Sequence, residues 1–230
     1  MTKSAGRSSS KGRGRRDRST TPRHQRRRLR TRARLIESAL RVIGSKGVDA
    51  TAIADITEDA DVGFGTFYNY FDSKDAVLVA ATAEAAAALG HALDRVNEHL
   101  RDPAEKLAVA VRHMVRMVDR DPIWASFVVR SSLYEEQVAA VHGPRLEHDL
   151  RNGIVTGRFP EADVSLLKYA IGGAVFTVMQ AKLTGALGRD ADSSLAAAVL
   201  RMVGLPAGEA RDIARRRVPE IEVPVRDRRV

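Results

Sequence analysis

The chain has 230 residues, and its net charge of +9 is concentrated at one end: residues 1–34 hold 14 Lys/Arg against the single acid Asp17, while the other 196 residues carry a net charge of −4. With no cysteine in the sequence, a disulfide framework, a thiolate zinc site, an iron–sulfur cluster and a thiol redox sensor are all excluded. There is no run of 18 apolar residues and no apolar signal core near the start, so a soluble cytoplasmic protein without membrane contact is expected.

Residues 1–29 are mostly Ser, Gly, Arg and Lys. A segment with so little to bury does not offset an ordering cost of about 1–2 kcal/mol per residue, and it reads as a disordered basic tail. Leu35, Ile36, Ala39, Leu40, Val42 and Ile43 then recur at helical spacing as far as Gly47. A second helix is predicted over Thr51 to Ala60, with Thr51 as N-cap, followed by a break at Asp61-Val62-Gly63 and a short third helix from Phe64 to about Tyr70. Asp72 or Ser73 opens a long Ala-rich helix to about Leu100, Pro103 one to about Asp119, and Pro122 one to about Leu133. Further helices are predicted over Arg145 to Gly157, Ala162 to Thr184, Ser193 to Val203 and after Pro206. No alternating β-branched stretch occurs, so the fold class is all-α. The division expected is a basic tail over 1–29, a helix-turn-helix unit over 30–78, a larger helical body over 79–210, and a flexible charged tail over 211–230.

The first three helices, the last two joined by a three-residue turn, have the layout of a helix-turn-helix unit. Thr66, Tyr68, Asn69 and Tyr70 are polar at closely spaced positions, whereas Phe67 and Phe71 lie four apart and can seal the inner face. The segments Gly47-Val48-Asp49-Ala50-Thr51, Val62-Gly63-Phe64 running through Gly65 to Phe71, and Ser73-Lys74-Asp75 resemble the DNA-binding signature of the tetracycline-repressor (TetR) family. The likeness covers about 48 residues.

That resemblance implies a DNA-facing set of Thr51, Phe64, Gly65, Thr66, Tyr68, Asn69, Tyr70 and Lys74. Phe64 and Gly65 would face base edges, and Thr66, Tyr68, Tyr70 and Lys74 the phosphate backbone. It implies a ligand-binding and dimerisation body, and so double-stranded operator DNA, a second copy of the chain and a small-molecule effector as partners. Arg26, Arg27, Arg28 and Arg30, just before the first helix, are expected to add phosphate contacts from the tail. Two departures from the family pattern are Gly63 at the usual Ser/Thr cap and Phe64 where a polar or basic residue is common.

In the body, His113, Met117, Trp124, Phe127, Tyr169, Phe176 and Gln180 are the expected effector-pocket residues, being large side chains with a few polar groups among them. The helix over 162–184 is apolar on more than one face and must be covered on several sides. Ile171 and Val175 with Leu195, Val199 and Met202 are therefore the expected dimer interface. His91 and His99 are about 12 Å apart along one helix, and His142 and His148 lack the four-residue spacing of a helical metal site. Surface histidines, no metal and no other cofactor are expected. No nucleophile–base–orienter set or carboxylate pair stands out, so the chain reads as a regulator rather than an enzyme. The alternative is a weakly specific nucleoid-type binder driven by the Arg-rich tail.

Overall fold

The computed structural model describes residues 23–221 apart from 49 and 131, without the side chains of 44, 123, 127, 130 and 132–135. Residues 1–22 of the basic tail, the Phe127 side chain and residues 222–230 lie outside the described residues. Among the described residues there are ten helices and no strand.

Helix α1 (Arg23–Lys46) begins inside the segment read as tail. Arg is a good helix former, so propensity carries the helix back from its apolar face. That face, Leu35, Ile36, Ala39, Leu40 and Ile43, is buried. The helix stops at Gly47, whose φ of +84° is a left-handed conformation that favours glycine. Helix α2 (Ile53–Asp59) is capped at Ala52, not at Thr51. The Thr51 hydroxyl instead donates back to the Gly47 carbonyl at 2.7 Å, and the Asp55 carboxylate accepts from the Ala52 amide at 2.9 Å and from Lys46 Nζ at 2.7 Å. Helix α3 (Phe64–Phe67) is shorter than predicted; Tyr68 to Phe71 continue it as tight turns, with the Tyr70 and Phe71 amides both donating to the Phe67 carbonyl.

Helix α4 (Lys74–Asn97) is capped by Ser73, whose Oγ accepts from the Ala76 amide at 3.1 Å. It is the spine of the molecule, because two separate cores meet along it. The first core combines α1–α3 with Val77, Leu78 and Ala81; the second begins at Ala86 and extends to Val218. The second core is built from α5 (Pro103–Arg120), α6 (Pro122–Arg130), α7 (Ser132–Val155), α8 (Val164–Leu183), α9 (Ala191–Met202) and α10 (Ala207–Arg215). α4 packs on α7, and α5 on α8 and α9.

Helix α7 starts well before Arg145 and carries Pro144 in its interior. Its buried Val138 and Leu150 lie on either side of that proline, and packing of the whole helix against α4 overrides the break that the Gly143-Pro144 pair suggests. The end of the chain also differs from expectation. Residues 211–221 are no flexible tail: α10 runs through Arg215, Arg112 Nη1 donates to the Arg216 carbonyl at 2.6 Å, and Val218 is buried.

Candidate functional site

The outer face of the helix-turn-helix unit is aromatic and polar. Phe67 and Phe71 are buried in the first core, whereas Phe64 is 54% and Tyr68 48% exposed. Gly65 and Asn69 are exposed beside them, and Thr66 and Tyr70 are half-buried. The rings form a row: Phe64 stands edge-on to Tyr68 at 5.6 Å, Tyr68 edge-on to Phe67 at 5.5 Å, and Phe67 tilts against Phe71 at 5.8 Å. The exposed rings are thus fixed to the buried ones.

Two of the expected DNA-facing side chains point elsewhere. Thr51 is buried, and its hydroxyl is used within the α1–α2 turn. Lys74 is half-buried and donates to the Val48 carbonyl at 2.7 Å and the Thr51 carbonyl at 3.0 Å. Two of its three N–H groups therefore hold the same turn.

The basic flank is a helix rather than an arm. Arg26, Arg27, Arg28 and Arg30 are exposed on the first turns of α1. The Arg28 guanidinium lies over the Tyr70 ring at 5.9 Å, and that of Arg32 over Phe71 at 5.3 Å. These cation–ring contacts place the basic turns directly beside the exposed aromatic face.

Inside the body, the expected pocket residues separate. Trp124 and Met117 are buried and Phe176 is half-buried. Tyr169, 76% exposed, and Gln180 lie on the outside of α8, because they occupy the side of that helix turned away from the core. His113 is fully buried as a structural tie: Nε2 donates to the Pro219 carbonyl at 3.0 Å and Nδ1 accepts from Arg120 at 3.4 Å. Burial, with Arg120 nearby, lowers its pKa to about 4. Beside it, Asp192 accepts from Arg112 at 3.0 Å and Arg116 at 2.7 Å. Burial pushes that carboxyl up, but the two guanidinium bonds outweigh it and hold the pKa below the usual carboxylate range.

A second polar group, between α4 and α7, was not legible from residue spacing. Arg145 forms a two-pronged pair with Asp94, Nε to Oδ1 at 3.0 Å and Nη2 to Oδ2 at 2.8 Å. Its guanidinium crosses Gly90, where a Cβ would stand 2.8 Å from Cζ. His142, expected at the surface, lies against this pair, and burial followed by the Arg145 charge lowers its pKa to about 4. Its Nε2 is buried without a hydrogen-bond partner among the described residues, as is Nε1 of Trp124. Burial raises the pKa of Asp149. Buried polar groups are nearly always bonded, and these two nitrogens, like Oδ1 of Asn97, have no partner among the described residues.

The dimer residues need a correction. Ile171, Val175, Leu195 and Val199 are buried within the single chain and already have their covering. The uncovered side of the same helices carries Leu166 (67% exposed), Tyr169, Ala170, Gly173 and Met202. By length and composition, α4 and α8 are both apolar enough to cross a membrane, with mean hydropathy 1.6 and 1.3, an outcome the search for an unbroken apolar run missed. For α4 the reason is its place as the spine. In α8 only 17% of the apolar stretch is buried, which leaves a large face open.

A compact helix-turn-helix head with an aromatic, cation-flanked outer face, joined by one helix to a larger helical body, defines a DNA-binding regulator. Comparison with known proteins agrees. Residues 35–81 match "Bacterial regulatory proteins, tetR family" and residues 102–216 match "Tetracyclin repressor-like, C-terminal domain". The chain belongs to the tetR family of transcriptional regulators. RolR, solved in complex with its ligand resorcinol, is 42% identical, with 85% of this chain and 98% of that one covered and a TM-score of 0.74. FadR from Bacillus subtilis, solved with stearoyl-CoA, is 22% identical over 74% of this chain and 96% of that one, with a TM-score of 0.64; it shares the fold. The transcriptional repressor KstR of Rhodococcus jostii is 28% identical over 114 residues, 47% of this chain and 50% of that protein. The chain spans about half the length of the curated KstR relatives it matches.

Proposed function

We propose that this chain is a homodimeric transcriptional repressor that holds a palindromic operator through the Phe64–Tyr70 face of each subunit and is released by a small, compact effector bearing hydroxyl groups. It acts in the cytoplasm, at the nucleoid. The observation that carries this reading is the single helix α4, which contributes to the core of the head and to the core of the body. A molecule seated against its C-terminal half moves the reading heads, and by linkage it weakens operator affinity by the factor that DNA weakens its own binding.

The effector class is supported by the ligand of RolR, resorcinol, and by the unpartnered nitrogens of Trp124 and His142. Each of those nitrogens can pair with a hydroxyl group, a feature that the hydrocarbon of a long acyl chain lacks. Two-fold pairing through the open face of α8 and α9 sets the two α3 segments about 34 Å apart, one helical turn of DNA. The basic turns of α1 add phosphate contacts, and residues of the preceding tail extend them. Against a weakly specific nucleoid-type binder stand the two family matches and the fixed aromatic row.

The test is a selection from randomised duplex DNA at physiological salt, run with the full chain and with one lacking residues 1–22. Enrichment of one inverted repeat by both is expected, and resorcinol-class phenols should then weaken binding to it. No repeat, with binding lost on removing the tail, would overturn the reading in favour of the nucleoid-type alternative.

A further inference from the structure

The outward positions around the entry to α3 share one chemical feature. Ala52 and Ala54, at the start of α2, are exposed and offer methyl groups only. Gly65 is exposed, with open space where a Cβ would stand. Phe64 presents an aromatic ring. No guanidinium, ammonium or amide stands among these four positions, and the nearest amide on this face is Asn69. The bidentate hydrogen-bonding pairs that read guanine or adenine in the major groove require such groups. An aromatic ring in the same place has one complementary feature on the base edges, the 5-methyl group of thymine.

The ring is also built to be there. An exposed phenylalanine is ordinarily a liability, and a free one would lose rotamer freedom on meeting DNA. Phe64 is instead anchored edge-on to Tyr68, which is anchored edge-on to the buried Phe67. The orientation is set before DNA arrives, so contact costs little further ordering.

We infer that Phe64 is a specificity-determining residue that reads a thymine 5-methyl group in each operator half-site by apolar contact. The inference rests on the operator-binding reading above and adds to it which base feature is recognised. Because 5-methylcytosine carries the same methyl group at the same groove position, the site also accepts that base in place of thymine better than it accepts cytosine.

The experiment uses the full-length dimer and the inverted repeat recovered by selection. Each thymine is replaced in turn by deoxyuridine in both half-sites, which removes the methyl group and leaves pairing intact. Affinity is measured for the native chain and for Phe64→Ala and Phe64→Leu. One thymine per half-site is expected to respond, with a loss of about fourfold for each methyl removed. Phe64→Ala should bind the thymine and uracil operators equally, while Phe64→Leu, which keeps an apolar surface, retains part of the discrimination. Placing 5-methylcytosine at the responsive position should recover binding relative to cytosine. If every thymine tolerates uracil, or if the methyl effect persists undiminished in both variants, the inference is overturned while operator recognition stands. If selection yields no repeat, the underlying reading falls and the inference with it.

Discussion

Lys74 and Val48 are joined across 26 residues of chain: the Lys74 ammonium, on the first turn of α4, donates to the Val48 carbonyl at 2.7 Å and to the Thr51 carbonyl at 3.0 Å. The lysine thereby fixes the α1–α2 turn to the base of α4, and its charge is drawn away from the DNA-facing surface. Lys74→Met is expected to lower stability by about 1–3 kcal/mol, because two carbonyls lose their donor. The slope of operator affinity against salt should stay unchanged. Arg27→Ala should do the reverse, leaving the thermal midpoint alone and reducing the salt slope by about 0.9 for one phosphate contact. Thermal melts and binding titrations at several salt concentrations separate the two roles.

The open face of α8 carries a second prediction. Tyr169→Asp or Leu166→Asp places a carboxylate on a surface that pairing would bury, without touching the core of the protomer. Sedimentation should show a folded monomer, and operator affinity should fall by roughly two orders of magnitude or more as the advantage of linked half-sites is lost. Val175→Asp, by contrast, puts the charge inside the chain, where Val175 is 6% exposed, and should unfold the body. A dimer persisting in Tyr169→Asp and Leu166→Asp would place the interface elsewhere.

The head was legible in sequence because local rules govern it. Gly47 and Ser73 terminate or cap helices where their chemistry says they should, and the spacing of Phe67 and Phe71 marks an inward face. What spacing could not give is the destination of a long polar side chain. Lys74 and Thr51 sit in the family's motif, yet both turn inward, since the α1–α2 turn has carbonyl groups that need donors. The body was less legible for a related reason. A helix that is apolar all round does not declare which side meets its own core, so Ile171 and Tyr169 exchange the places expected of them. The cluster of Asp94, His142, Arg145 and Asp149 joins two helices about 50 residues apart in sequence, and a periodicity argument within one helix has no access to it. The one cue in the sequence is Gly90 within the Ala-rich α4, where the Arg145 guanidinium crosses closer than a Cβ would allow.

The buried nitrogens of Trp124 and His142 give a third prediction. Trp124→Phe keeps an aromatic six-membered ring but removes the Nε1–H donor, which has no partner among the described residues. Its stability should fall by about 1–3 kcal/mol, because the smaller ring leaves a cavity at a fully buried position and removal of an unsatisfied donor offsets only part of that cost. Release from the operator by a resorcinol-class phenol should require about a tenfold higher concentration, the cost of one lost hydrogen bond of about 1–1.5 kcal/mol. His142→Leu should act in the same direction on the effector. Operator affinity without effector should be unchanged in both variants. Fluorescence anisotropy with a labelled operator reads both quantities in one titration, and an unaltered response in both variants would remove these side chains from the effector site.

Acid sensitivity follows from the same interior. His113 and His142 both have pKa values lowered from 6.5 to about 4 by burial and neighbouring arginines, so both are neutral in the folded chain. The unfolded chain, with histidines near 6.5, binds protons between about pH 6.5 and 4 that the folded chain does not. Stability is therefore intact above pH 6.5 and falls as pH drops through this window. For His113 the loss is about 2 kcal/mol by pH 5, and His142 adds to it. Asp149 runs the other way, since burial raises its carboxyl and protonation at low pH relieves that cost. Urea midpoints at pH 7.5 and pH 5 should differ accordingly. His113→Gln keeps an N–H able to reach the Pro219 carbonyl and does not titrate, so its midpoint should fall less over the same interval. A native midpoint that does not move between the two values, or an undiminished fall in His113→Gln, would mean that His113 is not held neutral by its burial beneath the C-terminal segment at Pro219.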